Sequence, residues 1–120
     1  DLLMTDRTVF RLQDIIEAVN CIDGLLGGTT FAALQGDAVR RAAFERFLEI
    51  LSEASRHIPE GLMERESQIP WRRIGDIGNH LRHAYHRVDA EILWRIWEDG
   101  DLAALKSAVT RMIAALGDAS

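Results

Sequence analysis

The residues best suited to chemistry lie in one stretch, Ile77-Gly78-Asn79-His80-Leu81-Arg82-His83-Ala84-Tyr85-His86-Arg87. An imidazole moves protons near neutral pH, an amide orients a phosphate or a water, and a phenol donates a hydrogen bond. Asn79 and His83 are four residues apart, so on a helix they share a face. Tyr85 follows near the expected helix end, where it can reach the same cleft. On residue types alone, such a group is more often a capping or surface feature than a site. From Trp71 to Arg87 four arginines, Arg72, Arg73, Arg82 and Arg87, stand against one acid, Asp76. Arginine suits phosphate because its planar fork donates two parallel hydrogen bonds. The same charges also fit a plain solvated helix face.

His80-x-x-His83-x-x-His86 raises the question of a metal. Each step of three residues drifts by about 60° on a helix. The three rings therefore fan out, with no cluster of carboxylates or thiolates beside them, and no metal or other cofactor is expected.

The elements that must hold these residues are helical throughout. No strand-like alternation is present, and apolar residues recur at steps of three and four. Val9, Leu12, Ile16, Val19, Ile22 and Leu26 predict a first helix, capped by Asp6 and stopped by Gly27-Gly28. A short turn is expected at Phe31–Leu34. Asp37 then caps a second long helix with the stripe Ala43, Phe47, Ile50, Leu51, Ala54 and Ile58. Pro59 and Gly61 interrupt it, and a polar link from Glu64 to Gln68 follows.

Pro70 fits the first turn of the helix that carries the candidate residues. Its inner stripe is Ile74, Ile77 and Leu81, with Tyr85 as an extension. Gly75 and Gly78 inside it each cost about 1 kcal/mol relative to alanine, which points to close packing or to a lost side chain. Asp89 caps a further helix with Ile92, Leu93, Trp94, Ile96 and Trp97. Gly100 ends it, and Asp101 caps a last helix with Leu102, Leu105, Val109, Met112, Ile113 and Leu116. Long helices with short links predict an all-α antiparallel bundle of four to five helices. The two tryptophans belong in the core or at an interface between copies.

The 120 residues fit one domain, 1–120, with 1–5 read as a leader before a start at Met4. The net charge of −5 excludes a generally basic nucleic-acid binder and leaves only the local arginine patch. No apolar run is long enough to span a membrane, and no export signal is visible, so a cytoplasmic protein is expected. Cys21 is alone and reads as a small core residue.

Five blocks resemble the HepT-like family of the HEPN superfamily. They are Asp6-Arg7-x-x-x-Arg11-Leu12-x-Asp14-Ile15-x-Glu17-Ala18, then Phe47-Leu48-Glu49-Ile50-Leu51-Ser52-Glu53-Ala54, similar to the family's N-L-x-x-I-G-E-A, then Ile69-Pro70-Trp71-Arg72-x-Ile74, Asn79-x-x-x-His83-x-Tyr85, and Val88-Asp89-x-Glu91-Ile92-x-Trp94. The resemblance implies a HEPN bundle that forms a homodimer. It also implies metal-independent cleavage of tRNA or mRNA in a cleft shared by two subunits. The family signature is an arginine followed, after four to six residues, by His-x-Tyr. By that resemblance His83 handles protons, Asn79 orients the phosphate and Tyr85 completes the catalytic site, with Arg72, Arg73, Arg82 and Arg87 as RNA-binding residues. The implied role is the toxin of a toxin–antitoxin pair. The implied partner is a minimal nucleotidyltransferase antitoxin, which in some pairs attaches AMP to the motif tyrosine, here Tyr85.

One departure stands at the site. The family places arginine directly before the asparagine, and here that residue is Gly78. Loss of that charge implies impaired cleavage. Three readings are open: a degenerate domain kept for binding, a deliberate change that makes a toxin harmless, or replacement by Arg72 or Arg73 of a second subunit. Gly78→Arg is expected to restore or raise cleavage. The alternative function is a non-catalytic binding module that complexes with the nucleotidyltransferase and carries AMP on Tyr85. Ser52 for the family's glycine and Phe47 for its asparagine are smaller departures.

Overall fold

The computed structural model describes residues 2–83 and 89–118. Among them are five longer helices, α1 (Leu2–Leu26), α3 (Ala38–Ser55), α5 (Trp71–His83), α6 (Ala90–Glu98) and α7 (Asp101–Asp118), and two short ones, α2 (Phe31–Gln35) and α4 (Glu60–Glu64). The protein is all-α, as the periodicity requires. Tyr85, His86 and Arg87 lie outside the described residues.

The helix ends follow local chemistry. Asp37 accepts a hydrogen bond from the Arg40 amide at 3.0 Å, and Asp89 accepts from the Glu91 and Ile92 amides. Each satisfies amides that the first turn leaves without a partner. Asp37→Ala is expected to cost about 1 kcal/mol of stability; a urea midpoint that does not move would show the cap to be idle. Gly28 and Gly100 carry φ of 76° and 84°, the left-handed residue that closes a helix. Two expected caps are not caps. α1 begins at Leu2, which puts Asp6 inside it, and Asp101 is the first residue of α7. The early residues continue the helical pattern, so nothing local obliges α1 to start at Asp6.

α3 is the central element. It packs between α1 and α5, while α7 covers another side of α1 and α6 lies on α7. Its inward residues are Phe44, Leu48, Leu51, Ser52, Ala54 and Ser55. Of the expected stripe Leu51, Ala54 and Ile58 are buried, while Ala43, Phe47 and Ile50 are only half-buried, with Phe44 and Leu48 inward in their place. A helix covered on two sides buries more than one narrow stripe, and the dominant stripe is set by its neighbours. Leu12, Ile15, Val19, Ile22, Leu105 and Val109 complete a core in which each is 0% exposed. Ile92 is 59% exposed, so α6 turns Leu93 and Trp94 inward instead. Cys21 is half-buried and lines an open hollow with Ile16 and Asn20, so it is not a core residue.

The tryptophans pack within the protein. Trp94 lies 5.8 Å from Phe31 and 5.1 Å from Trp97, centroid to centroid. The Trp97 indole N–H donates to Asp23 at 3.1 Å, and that of Trp94 donates to Glu98. A third indole sets the start of α5. The Trp71 Nε1–H is shared between the carbonyls of Met63 (3.2 Å) and Glu66 (3.0 Å).

Glu66 in turn accepts from Arg111 of α7 at 2.6 Å and from Gln68 at 2.8 Å. Those two hydrogen bonds, Arg111 first, hold its carboxyl below the usual value of 4.5. A lowered folded pKa stabilises above the ordinary carboxylate range, and that contribution fades as pH falls through the lowered value. Glu66→Gln is therefore expected to lose stability at neutral pH and to match the parent in strong acid. Urea midpoints at neutral pH and well below pH 4.5 check this; an identical deficit at both would rule out the ion pair as the cause.

Candidate ribonuclease site

α5 carries the candidate residues. Ile74 and Gly78 are its buried positions, while Ile77 and Leu81 are half-buried. Arg72, Arg73, Asn79, Arg82 and His83 are exposed. Asn79 and His83 lie one turn apart on α5, so the two share the outer face. Side chains on a helix lean toward its N-terminus, which brings the His83 ring back toward the level of Asn79. Arg72 and Arg73 sit at the far end of α5, about 15 Å from His83 along the axis.

The contact that positions α5 was not foreseen. The Ser52 hydroxyl, 0% exposed, donates to the Gly75 carbonyl at 3.0 Å and accepts from the Gly78 amide at 2.8 Å. One side chain of α3 thus threads into the backbone of α5. Gly78 makes room for it. A Cβ there would lie 3.0 Å from Ser52 Oγ and 3.3 Å from Ser52 Cβ. Gly75 is also close, with a Cβ position 3.4 Å from the Arg56 side chain. Of the two reasons considered for these glycines, close packing is what the geometry supports. Ser52 and Gly78 are two halves of one contact. The sequence displayed both, but a link across 26 positions has no local signal.

Position 78 is therefore taken up by a packing contact, and adding a side chain there is not a neutral operation. It is also overlaid by a cation. Arg82 Nη1 lies 3.1 Å from where a Cβ of residue 78 would be. Beside it on α3, the Glu53 carboxylate accepts a hydrogen bond from His57 Nε2 at 3.1 Å. The Glu53 carboxyl is held below its usual value, first by that His57 bond and then by the charges of His57, Arg56 and Arg82. Among the described residues, no three His, Cys, Asp or Glu side chains converge as a metal site. No described helix is long and apolar enough to cross a membrane.

Comparison with known proteins decides the family. The model described as "Ribonuclease HepT-like" matches residues 15–112. The chain belongs to the HepT-like ribonuclease family. A Thermococcus cleftensis protein named "Probable ribonuclease HepT" is 33% identical over 101 residues, which cover 84% of this chain and 91% of that one. A "Putative RNase" of Methanocaldococcus jannaschii is 31% identical over 98 residues, 82% of this chain and 89% of the relative. Another, from Caldanaerobacter subterraneus, is 31% identical over 83 residues, 69% and 74% respectively. No solved structure gives a significant match. The matched span of this HepT-like chain includes α3, the whole of α5 and most of α7, hence the Ser52–Gly78 contact and every candidate residue.

Proposed function

We propose that this protein is a ribonuclease toxin that cuts tRNA or mRNA without a metal, at a site formed by two copies of the chain. The observation that carries the reading is the exposed Asn79–His83 column at the end of α5, in a chain of the HepT-like family. His83 takes the proton of a ribose 2′-OH or returns one to the leaving oxygen. The 2′-oxygen bonds to the adjacent phosphorus as the bond from phosphorus to the 5′-oxygen breaks. The products are a 2′,3′-cyclic phosphate and a 5′-hydroxyl, with no net loss or gain of protons. Asn79 orients the phosphate and Tyr85 completes the site. Arg72, Arg73, Arg82 and Arg87 hold the RNA backbone. A minimal nucleotidyltransferase is the antitoxin, and the cytoplasm is the compartment.

A second reading rests on Gly78. Without the motif arginine, the same dimer can serve as a binding module for the nucleotidyltransferase, with Tyr85 as AMP acceptor.

The test is cleavage of tRNA and mRNA in the presence of a chelator, beside a Ser52→Gly, Gly78→Arg variant that restores the family's pair of residues. The parent is expected to cut slowly and the variant faster. If neither cuts RNA and neither slows growth, the ribonuclease reading fails. Co-expression with a nucleotidyltransferase then tests the second reading, through a stable complex and an AMP mass shift on Tyr85.

A further inference from the structure

We propose that Arg82, seated over Gly78 against the α3–α5 seam, is the cation that meets the phosphate at the reacting bond, in place of a side chain at position 78. The inference rests on the ribonuclease reading above and assigns one residue within that site.

Gly78 and Arg82 are one helical turn apart on α5, directly beside the Asn79–His83 column. Arginine leans toward the helix N-terminus, and here its path is open because residue 78 has no side chain. The Nη1 atom reaches the space that any other residue would fill, 3.1 Å from the position of its Cβ. The guanidinium thereby sits at the level of Asn79, the level toward which the His83 ring also leans.

Its donors are uncommitted. Arg82 takes no part in the ion pairs or hydrogen bonds of the described residues. The nearby Glu53 carboxylate is already engaged with His57. A seated guanidinium with free N–H groups beside an amide and an imidazole suits a phosphate whose charge grows in the transition state. Arg72 and Arg73 of the same helix are too far along its axis for that role. Ser52 fixes the seat, since its hydroxyl pins the backbone at Gly75 and Gly78.

The experiment compares the parent with Arg82→Gln, Arg82→Lys, Gly78→Ala and His83→Ala. Cleavage of tRNA gives kcat/KM. The salt dependence of binding to a 2′-deoxy-substituted, uncleavable strand gives a second readout. Arg82→Gln is expected to lower kcat/KM about tenfold, a modest value for one donor to a developing oxyanion. It is also expected to reduce the salt slope by roughly 0.7, one phosphate contact on a single strand. Arg82→Lys should recover part of both. Gly78→Ala should lower kcat/KM, in part by displacing the guanidinium, and adding it to Arg82→Gln should cost less than it costs the parent.

Arg82→Gln with the parent's kcat/KM and the parent's slope overturns the assignment; if His83→Ala is then inactive, the ribonuclease reading survives without it. If His83→Ala cuts as well as the parent, the site assigned to His83 falls, and the Arg82 assignment beside it falls with it. If neither the parent nor any variant cuts RNA, the ribonuclease reading fails and the Arg82 assignment fails with it, whatever the salt slope.

Discussion

Gly78→Arg, made alone, is expected to destabilise the protein by about 1–2 kcal/mol and to lower its melting temperature by several degrees. Adding a side chain to a packed seam typically costs about 1–3 kcal/mol. The new Cβ would meet Ser52 Oγ at 3.0 Å and Ser52 Cβ at 3.3 Å. Ser52 is short and fully buried, so it cannot swing aside. It must turn away from Gly75 and Gly78, giving up hydrogen bonds of about 1 kcal/mol each, or α5 must move off α3. Arg82 is exposed and its guanidinium can be pushed outward, which costs its seat over Gly78 more than it costs folding. Arginine recovers about 1 kcal/mol of helix propensity over glycine, which does not offset the rest.

Ser52→Gly removes the obstruction. Combined with Gly78→Arg, it is expected to give a stability at least about 1 kcal/mol better than the two single effects summed, within the range seen for residues in contact. Thermal melts of the four proteins measure this coupling. A Gly78→Arg protein as stable as the parent, or strict additivity, would falsify the close-crossing account. The same series separates a folding defect from a chemical one: only the double variant tests arginine at position 78 without the Ser52 clash, and it does so without the two Ser52 hydrogen bonds.

His83→Ala is expected to lower RNA cleavage by about 10²–10⁴-fold, the usual contribution of a positioned acid or base. Folding should be nearly untouched. His83 is exposed on α5, and substitutions at exposed positions usually change stability by no more than about 0.5 kcal/mol. His80→Ala, three residues earlier on the same helix, is the matched control and should cut like the parent. A general loss of positive charge would affect both variants alike. If His83→Ala retains full cleavage, the proton-transfer role assigned to it is wrong. If both variants fall equally, the histidines act as charges for RNA binding, and the salt slope of binding should fall with them.

These two experiments probe different depths of the same helix. His83 lies on the surface of α5 and its effect should be local. Gly78 lies in the seam, and a change there is felt by Ser52, by Arg82 and by the angle at which α5 presents Asn79 and His83. Stability measurements must therefore accompany any cleavage measurement at position 78.

Much of this protein is written locally. Periodicity three and four apart specified the long helices, Asp37 and Asp89 specified where two of them start, and Gly28 and Gly100 where two of them stop. Spacing placed Asn79 and His83 on one face, because helix geometry depends only on neighbours in the chain. Motif order announced the family. Sequence placed Leu51, Ala54 and Ile58 inward but missed Phe44 and Leu48, because the first half of α3 is oriented by partners far away in the chain. It could not show that Ser52 and Gly78 occupy one contact, or that removing a side chain at 78 seats the guanidinium of Arg82. Those facts arise only when α3 and α5 approach closely enough for a hydroxyl to bond the opposite backbone, and tertiary packing sets that distance.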